Sequence, residues 1–329
     1  MSMAAFDYDL PAEAIAQTPV EPRDAARLLV ATDPGGGVEH RRVSDLPDLL
    51  GEGDVLVVND TRVIPARLRL RKPSGGAVEI LLLERTEGNG DWEAMVRPGR
   101  RVPSGTVLTA GPHLSVEVGD GVGDGRRLVR VHGDVEKHGH VPLPPYIHEP
   151  LADPERYQTV YARAAGSVAA PTAGLHLTED VLDRCRARGV SVASVDLAVG
   201  LDTFRPIVAD KAENHEIHSE RYRVPPETIE ACRRARRVVA VGTTTTRALE
   251  SAVDGPLEGR TRLFIHGDYR FKVVDVLLTN FHLPRSSLLL LLAAFAGERW
   301  RDLYDEALAD GYRFLSFGDA MLVARAENR

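Results

Sequence analysis

Val78-Glu-Ile-Leu-Leu-Leu-Glu84, Trp92-Glu-Ala-Met-Val-Arg97, Thr106-Val-Leu-Thr109, Leu114-Ser-Val-Glu-Val118 and Arg127-Leu-Val-Arg-Val-His132 follow one another with no helical segment between them. Each run is bounded by Gly, Pro or Asp, the residues that stop a strand and turn the chain. Short strands at such spacing predict a small antiparallel β-barrel or sandwich over residues 63–141. On either side the pattern changes. Leu10-Pro-Ala-Glu-Ala-Ile-Ala-Gln17 reads as a short helix with Pro11 in its first turn, and Leu28-Leu-Val-Ala-Thr32 as a strand before the Gly35-Gly-Gly37 turn. Asp54-Val-Leu-Val-Val-Asn-Asp60 is an apolar run ending in polar groups, as a buried strand does when it delivers side chains to a ligand.

Beyond residue 142 helix and strand signals alternate. Thr178 caps a helix that Gly189 stops, a strand follows over 190–199, then a helix over 226–236 and a strand over 237–242 that enters another helix. A further strand over 273–278 precedes a mainly helical end. The chain therefore reads as a mixed α/β domain of residues 1–62 and 142–329, carrying most of the active site, into which a small antiparallel β-barrel domain of residues 63–141 is inserted.

Composition narrows the function classes. The 329 residues are 43% hydrophobic and 27% charged, an ordinary balance for a chain with a substantial core. The opening residues are acidic where an export signal needs basic and apolar ones. The longest strongly apolar run, over 288–296, is half of the roughly 18 residues that suggest a membrane span. Cys185 and Cys232 are too few for a disulfide framework or a cysteine zinc site and suit a reducing compartment. A cytoplasmic protein without a membrane partner is expected; nothing in the sequence sets the oligomeric state. The net charge of −7 argues against indiscriminate nucleic-acid binding, yet residues 61–150 hold 13 Lys and Arg against 11 Asp and Glu. Arg62, Arg67, Arg69, Arg71 and Lys72 fall close together there, either as the solvated face of a strand or as a phosphate-contacting surface.

Several segments carry candidate chemistry. Gly166-Ser-Val-Ala-Ala-Pro-Thr-Ala-Gly-Leu-His-Leu-Thr178 surrounds one histidine with small residues. Gly174 can adopt φ values closed to other residues, so a ligand can lie against bare backbone, and His176 can exchange a proton near neutral pH. The alternative is a tight turn in which Ala and Gly permit close packing and His176 is a hydrogen-bonded core residue. Val238-Val-Ala-Val-Gly-Thr-Thr-Thr-Thr-Arg247 resembles an anion cradle, with a glycine after a buried strand and hydroxyls at a helix start; ordinary N-capping by threonine is the alternative. It lacks the endings of a P-loop and of a dinucleotide fingerprint. In Asn214-His-Glu-Ile-His-Ser-Glu220, His215 and His218 would share a helical face, but the spacing is not that of a His-Glu-x-x-His zinc site, and a hydrogen-bonding or proton-handling role is preferred. Thr279-Asn-Phe-His-Leu-Pro-Arg-Ser-Ser287 ends a strand, with Ser286 or Ser287 as a helix cap and His282 equally able to be structural. Asn59-Asp-Thr-Arg62 stands at the junction of the two expected domains, a common position for ligands. No nucleophile elbow, Ser-x-x-Lys or reactive-cysteine pattern supports covalent acyl chemistry.

Taken together these segments resemble the S-adenosylmethionine:tRNA ribosyltransferase-isomerase family of queuosine biosynthesis. The matching pieces run in order along almost the whole chain: Phe6-Asp-Tyr-Asp-Leu-Pro11, Val57-Val-Asn-Asp-Thr-Arg-Val-Ile-Pro-Ala-Arg-Leu68, Pro144-Pro-Tyr-Ile147, Arg156-Tyr-Gln-Thr-Val-Tyr-Ala162, Val168-Ala-Ala-Pro-Thr-Ala-Gly-Leu-His176, His218-Ser-Glu220, Val241-Gly-Thr-Thr244, Phe271-Lys-Val-Val-Asp275, Thr279-Asn-Phe-His-Leu-Pro284 and Gly318-Asp-Ala-Met321.

The resemblance implies a transferase that joins the ribosyl part of S-adenosylmethionine, a co-substrate, to 7-aminomethyl-7-deazaguanine in a tRNA anticodon. It then isomerises that part to give epoxyqueuosine-tRNA, releasing adenine and methionine. It implies no prosthetic group and no metal. A paralogue acting on another nucleoside or RNA, or a catalytically silent tRNA-binding protein, would keep the same fold. The chemistry needs proton removal beside a sulfonium, protonation of departing adenine and recognition of a zwitterionic tail. On that basis His176, His218, Asp60 and Arg62 are the catalytic candidates. Asn59, Thr172, Gly174, Gly242, Thr243, Thr244, Asn280 and His282 are the substrate-binding candidates, and Arg67, Arg69, Arg71 and Lys72 the tRNA-binding ones. The chain leaves the family pattern at Ala198 and Asp202, where the family usually has His and Gly, and at His266-Gly267-Asp268-Tyr269, where it usually has Pro-Gly-Tyr.

Overall fold

The computed structural model describes residues 1–33, 36–86, 90–200 and 206–326. Among these the strands are, in chain order, β1 (Arg27–Ala31), β2 (Glu39–Arg42), β3 (Asp54–Asn59), β4 (Thr61–Val63), β5 (Arg67–Arg71) and β6 (Ala77–Arg85). Next come β7 (Trp92–Arg97), β8 (Thr106–Thr109), β9 (Leu114–Gly123), β10 (Arg126–Gly133), β11 (Ala164–Ser167) and β12 (Ser191–Leu197). The last are β13 (Glu220–Arg223), β14 (Arg237–Val241), β15 (Glu258–Thr261), β16 (Val276–Asn280) and β17 (Ala320–Ala324). The helices are α1 (Leu46–Leu49), α2 (Val135–His138), α3 (Glu179–Ala187), α4 (Pro226–Arg234), α5 (Thr243–Ala252), α6 (Ser287–Ala296) and α7 (Trp300–Ala309).

The chain divides into two compact units, one of Met1–Thr61, Pro144–Ala164 and Ala170–Arg329, the other of Arg62–Leu143 and Ala165–Ala169. The second unit is a closed antiparallel barrel in the order β10-β7-β6-β5-β8-β9. On β5 Leu68 and Leu70 point into the barrel while Arg69 and Arg71 are exposed, the two-residue alternation that a strand with one wet face requires.

The first unit is built on a nine-stranded mixed sheet, β15-β13-β12-β3-β14-β16-β17-β1-β2. Its centre, β12, β3, β14 and β16, is parallel. Every residue of β3 is buried, because α1 and α3 pack through Leu46, Leu50, Val181, Leu182 and Cys185 on one face and α4 and α5 lie on the strand as well. Thr178 starts α3 as the sequence predicts, its hydroxyl accepting from the Val181 amide at 3.2 Å. The four parallel strands end together at Leu197, Asn59, Val241 and Asn280, so one edge of the sheet gathers the segments that follow them.

Three local expectations are corrected. The helix read over 10–17 is one 3-10 turn, Ala12–Ala14, because Ala14 and Ile15 leave it to pair with Phe314. The strand read from 273 begins at Val276, because the amides of Lys272, Val273 and Val274 donate to the Glu250 carboxylate. The end of the chain is not only helical: β17 inserts between β16 and β1, and a short apolar run buried on both faces has no periodicity to separate it from helix. Gly35 of the glycine turn lies outside the described residues.

Candidate active site

Asn280 ends β16 buried, and its partners define it. Its Nδ2 donates to the Leu315 carbonyl at 3.1 Å, and its Oδ1 accepts from the Thr172 hydroxyl at 3.3 Å. A carbonyl only accepts, so the orientation of the amide is fixed. The other Nδ2 hydrogen meets His176 Nε2 at 2.9 Å, which makes that nitrogen an acceptor and leaves the imidazole proton on Nδ1. His176 is 4% exposed; burial, with Arg156, Arg313 and Arg23 nearby, lowers its pKa to about 3. Protonation would set two donors against each other. At neutral pH His176 is therefore a neutral acceptor held in place, closer to the hydrogen-bonded core residue than to a proton shuttle.

Gly242 joins β14 to α5 with φ +90, a backbone conformation that glycine alone takes without strain. Among the described residues no side chain caps the helix. The Thr245 and Thr246 hydroxyls donate back to the Val241 and Gly242 carbonyls, at 2.6 and 3.2 Å, so threonine N-capping is not what the run provides. Thr243 and Thr244 stand at the uncapped start, where helix amides and dipole favour an anion. Thr244 Oγ1 accepts from Asn59 Nδ2 at 3.2 Å. The other Asn59 amide hydrogen goes to the Leu197 carbonyl, and Asn59 Oδ1 accepts from the Leu197 and Thr61 amides. All four hydrogen-bonding positions of Asn59 are thus occupied by protein, tying β3, β12 and α5 together rather than facing a ligand.

Asp60, the next residue, is half-buried and has a raised pKa, principally through burial; the Ser194 hydroxyl opposes the shift, Asp196 adds to it and Arg163 counters it. Its proton affinity moves toward neutrality while that of His176 moves away. Tyr161, whose pKa burial also raises, feels the Asp60 charge, and its buried hydroxyl has no hydrogen-bond partner among the described residues. A Cβ on Gly174 would lie 2.0 Å from that hydroxyl and 3.0 Å from Thr159 Cγ2. Gly174 is required for space rather than for an unusual φ, and the tyrosine, not a ligand, fills the room it leaves.

A family model described as "Queuosine biosynthesis protein" matches residues 3–323. The chain belongs to that family. It is 54% identical to the S-adenosylmethionine:tRNA ribosyltransferase-isomerase of Thermus thermophilus, covering 98% of this chain and 99% of that one. It is 51% identical to the one of Symbiobacterium thermophilum, over 98% and 100%. The crystal structure of S-adenosylmethionine tRNA ribosyltransferase from Thermotoga maritima superposes with a TM-score of 0.56 at 40% identity, covering 97% of this chain and 99% of that one.

The remaining family motifs distribute as follows. His218 is exposed in the irregular segment before β13, at the same sheet edge, since β13 runs antiparallel to β12. His282 is buried; its Nε2 lies 2.9 Å from the Thr279 hydroxyl, its amide donates to Tyr304 and burial lowers its pKa to about 3, all marks of a core histidine. Arg62 falls on β4 and belongs to the barrel unit, which also holds Arg67, Arg69 and Arg71 on β5 and Lys72 directly after it. Arg69 lies across the ladder from Glu79, and Lys72 Nζ donates to the Arg101 carbonyl. Motif residues 165–169 belong to the barrel unit and 170–178 to the first. Among the described residues no group of three or more His, Cys, Asp or Glu could hold a metal, and no helix is long and apolar enough to cross a membrane. Of the departures from the family pattern, Ala198 donates its amide to the Arg221 carbonyl, while Asp202 lies outside the described residues. Gly267 and Asp268 form an exposed turn, so the extra residue leaves Tyr269 in contact with Glu250 at 3.3 Å. Sequence reasoning missed Tyr161 and Glu250. Tyr161 lies in the matching segment 156–162 but is given no part there, and Glu250 carries no local signal, since its contacts come from residues 269–274.

Proposed function

We propose that the chain transfers the ribosyl moiety of S-adenosylmethionine to 7-aminomethyl-7-deazaguanine in tRNA and isomerises it to epoxyqueuosine, releasing adenine and methionine in the cytoplasm. The observation that carries this is the sheet edge, which sets a half-buried carboxylate of raised proton affinity, Asp60, beside an uncapped helix start, Gly242–Thr244, and a neutral imidazole, His176. Asp60 takes the proton removed beside the sulfonium, a role that a raised proton affinity favours. The α5 amides with Thr243 and Thr244 receive the methionine carboxylate. His176, oriented by Asn280 and Thr172, accepts a proton-free hydrogen-bonding role toward the nucleoside, with Gly174 and Asn59 holding the frame. His218, exposed at the same edge, and Arg62 act on the RNA-side substrate. The barrel, residues 63–141, turns Arg67, Arg69, Arg71 and Lys72 toward tRNA phosphates. Full-length identity near 50% to named transferases favours an active enzyme over a silent binder.

Single-turnover ribosyl transfer tests the central role. Asp60→Asn is expected to slow it about 100-fold or more. Transfer within about twofold of the native rate would remove Asp60 from the catalytic set.

A further inference from the structure

β13 and β15 are the outer pair on one side of the nine-stranded sheet, and the segments that adjoin them continue past the edge at which β3 and β12 end. β13 runs antiparallel to β12, so its first residue, Glu220, stands at that edge, paired with Thr261, the last residue of β15. Residues 214–219 and 262–266 therefore leave the sheet side by side. They stay together: the rings of His215 and Phe264 have centroids 5.6 Å apart with 69° between their planes. After β15 the outward positions recur every second residue. Thr261 and Ile265 are buried, while Arg260 and Arg262 are exposed and Phe264 and His266 half-exposed. Phe264 and His266 have centroids 4.6 Å apart at 52°, so the phenyl ring meets an imidazole from each segment. Both meet it at steep angles, and neither lies flat on its face.

Guanidinium groups flank these rings. β13 turns Arg221 and Arg223 outward and Glu220 and Tyr222 inward, and Glu220 is buried in an ion pair with Arg247. The register sets Arg221 directly opposite Arg260, a like-charge relation that destabilises a ladder. Asp196 meets Arg221 at 3.2 Å, and Ser219 accepts from Arg260 through its hydroxyl at 3.0 Å and its carbonyl at 2.9 Å, which holds the two apart in charge and in direction. Arg262, the next outward position, is exposed and among the described residues has no hydrogen-bond or ion-pair partner. Glu213, Glu216 and Asp268 are exposed close by in sequence, so the positive charge is local to Arg260 and Arg262 rather than a field over the whole edge.

An accessible aromatic ring beside guanidinium groups suits an unpaired nucleotide, which offers a flat base to stack and a phosphate to meet the cation; a paired stem offers only the phosphates. We propose that this ribbon, Phe264 with His215 and His266 and the flanking Arg260 and Arg262, is a platform for single-stranded RNA on which an unpaired base of the tRNA anticodon loop stacks. The placement agrees with the site. Two strand spacings, about 10 Å, separate β13 from β3, so a loop held on the ribbon presents a neighbouring nucleotide, not the stacked one, to Asp60.

The platform rests on the proposed tRNA-modifying activity, and a binding measurement without S-adenosylmethionine separates the two. Anticodon stem-loop RNA carrying 7-aminomethyl-7-deazaguanine, titrated into the full-length protein, should bind better than a fully paired duplex of equal length. Phe264→Ala should weaken stem-loop binding about fivefold or more, the loss of one stacked base, and leave its salt dependence unchanged, while Phe264→Tyr should keep it. Arg262→Ala, at an exposed position, should weaken binding and lower the salt slope by about one phosphate contact; it carries the test alone should Phe264→Ala not fold. In the transfer assay both variants should raise KM for tRNA and not KM for S-adenosylmethionine. Equal binding of duplex and stem-loop, stem-loop binding unaltered by either alanine substitution, or a rise in KM for S-adenosylmethionine alone would overturn the platform. Stem-loop binding that depends on Phe264 and Arg262 in a protein that releases no adenine would instead overturn the transferase reading and leave the platform standing.

Discussion

Acidification from pH 7.5 to 5 should destabilise the protein through two histidines that the fold keeps unprotonated. His176 and His282 are both buried, and burial lowers the pKa of each to about 3 from an ordinary value near 6.5. Between those values the unfolded chain binds a proton at each site and the native protein does not, so stability is complete above pH 6.5 and falls as pH drops toward 3. At pH 5 each site has lost about 1.5 pH intervals of roughly 1.4 kcal/mol, or about 2 kcal/mol, and the pair about 4 kcal/mol. Urea unfolding at pH 7.5 and 5 measures this directly when native protein is compared with His176→Gln and His282→Gln. Each substitution should remove about 2 kcal/mol of the pH-dependent loss, whatever it does to stability at pH 7.5. Nitrogen-15 spectra of labelled histidine give the complementary reading: His176 should carry its proton on Nδ1 and should not titrate between pH 7.5 and 5. A titration of His176 near pH 6.5, or a pH-dependent loss unchanged in both variants, would refute the hydrogen-bond assignment made through Asn280.

Further perturbations have defined outcomes. Gly174→Ala forces a methyl against the Tyr161 hydroxyl and should cost about 1–3 kcal/mol in thermal or urea unfolding; adding Tyr161→Phe should recover part of that loss, and additivity of the two would contradict the packing account. Thr244→Val removes the acceptor for Asn59 Nδ2 in a buried site and should cost about 1–3 kcal/mol while raising KM for S-adenosylmethionine; an effect on neither would separate α5 from the site. Arg69→Ala and Arg71→Ala should weaken tRNA binding about equally across tRNA sequences and make it less salt-dependent, as loss of phosphate contacts does; an unchanged salt slope would assign these arginines to a merely solvated face.

The barrel was legible because its strands are short, amphipathic and punctuated by turn residues, each property local to the segment. β17 was not, since five apolar residues buried on both faces carry no period, and their strand character comes from β16 and β1, distant in sequence. The same division runs through the site. The sequence marks Asn59, Asp60, His176, Gly242 and Asn280 as members of unusual motifs. It does not reveal that Asn59 is fully occupied by β12 and α5, that a tyrosine fills the space beside Gly174, or that Asn280 and Leu315 together fix the tautomer of His176. Those are properties of contacts between distant segments. In the proposed reaction they favour Asp60 over the histidine as the group that takes a proton.

Adenine release is the most direct test of the activity. With S-adenosylmethionine and tRNA bearing 7-aminomethyl-7-deazaguanine in its anticodon, the protein should release adenine in step with formation of epoxyqueuosine, and the same tRNA lacking the aminomethyl base should support neither. Adenine release that proceeds without the modified tRNA, or saturable tRNA binding with no release, would contradict the account.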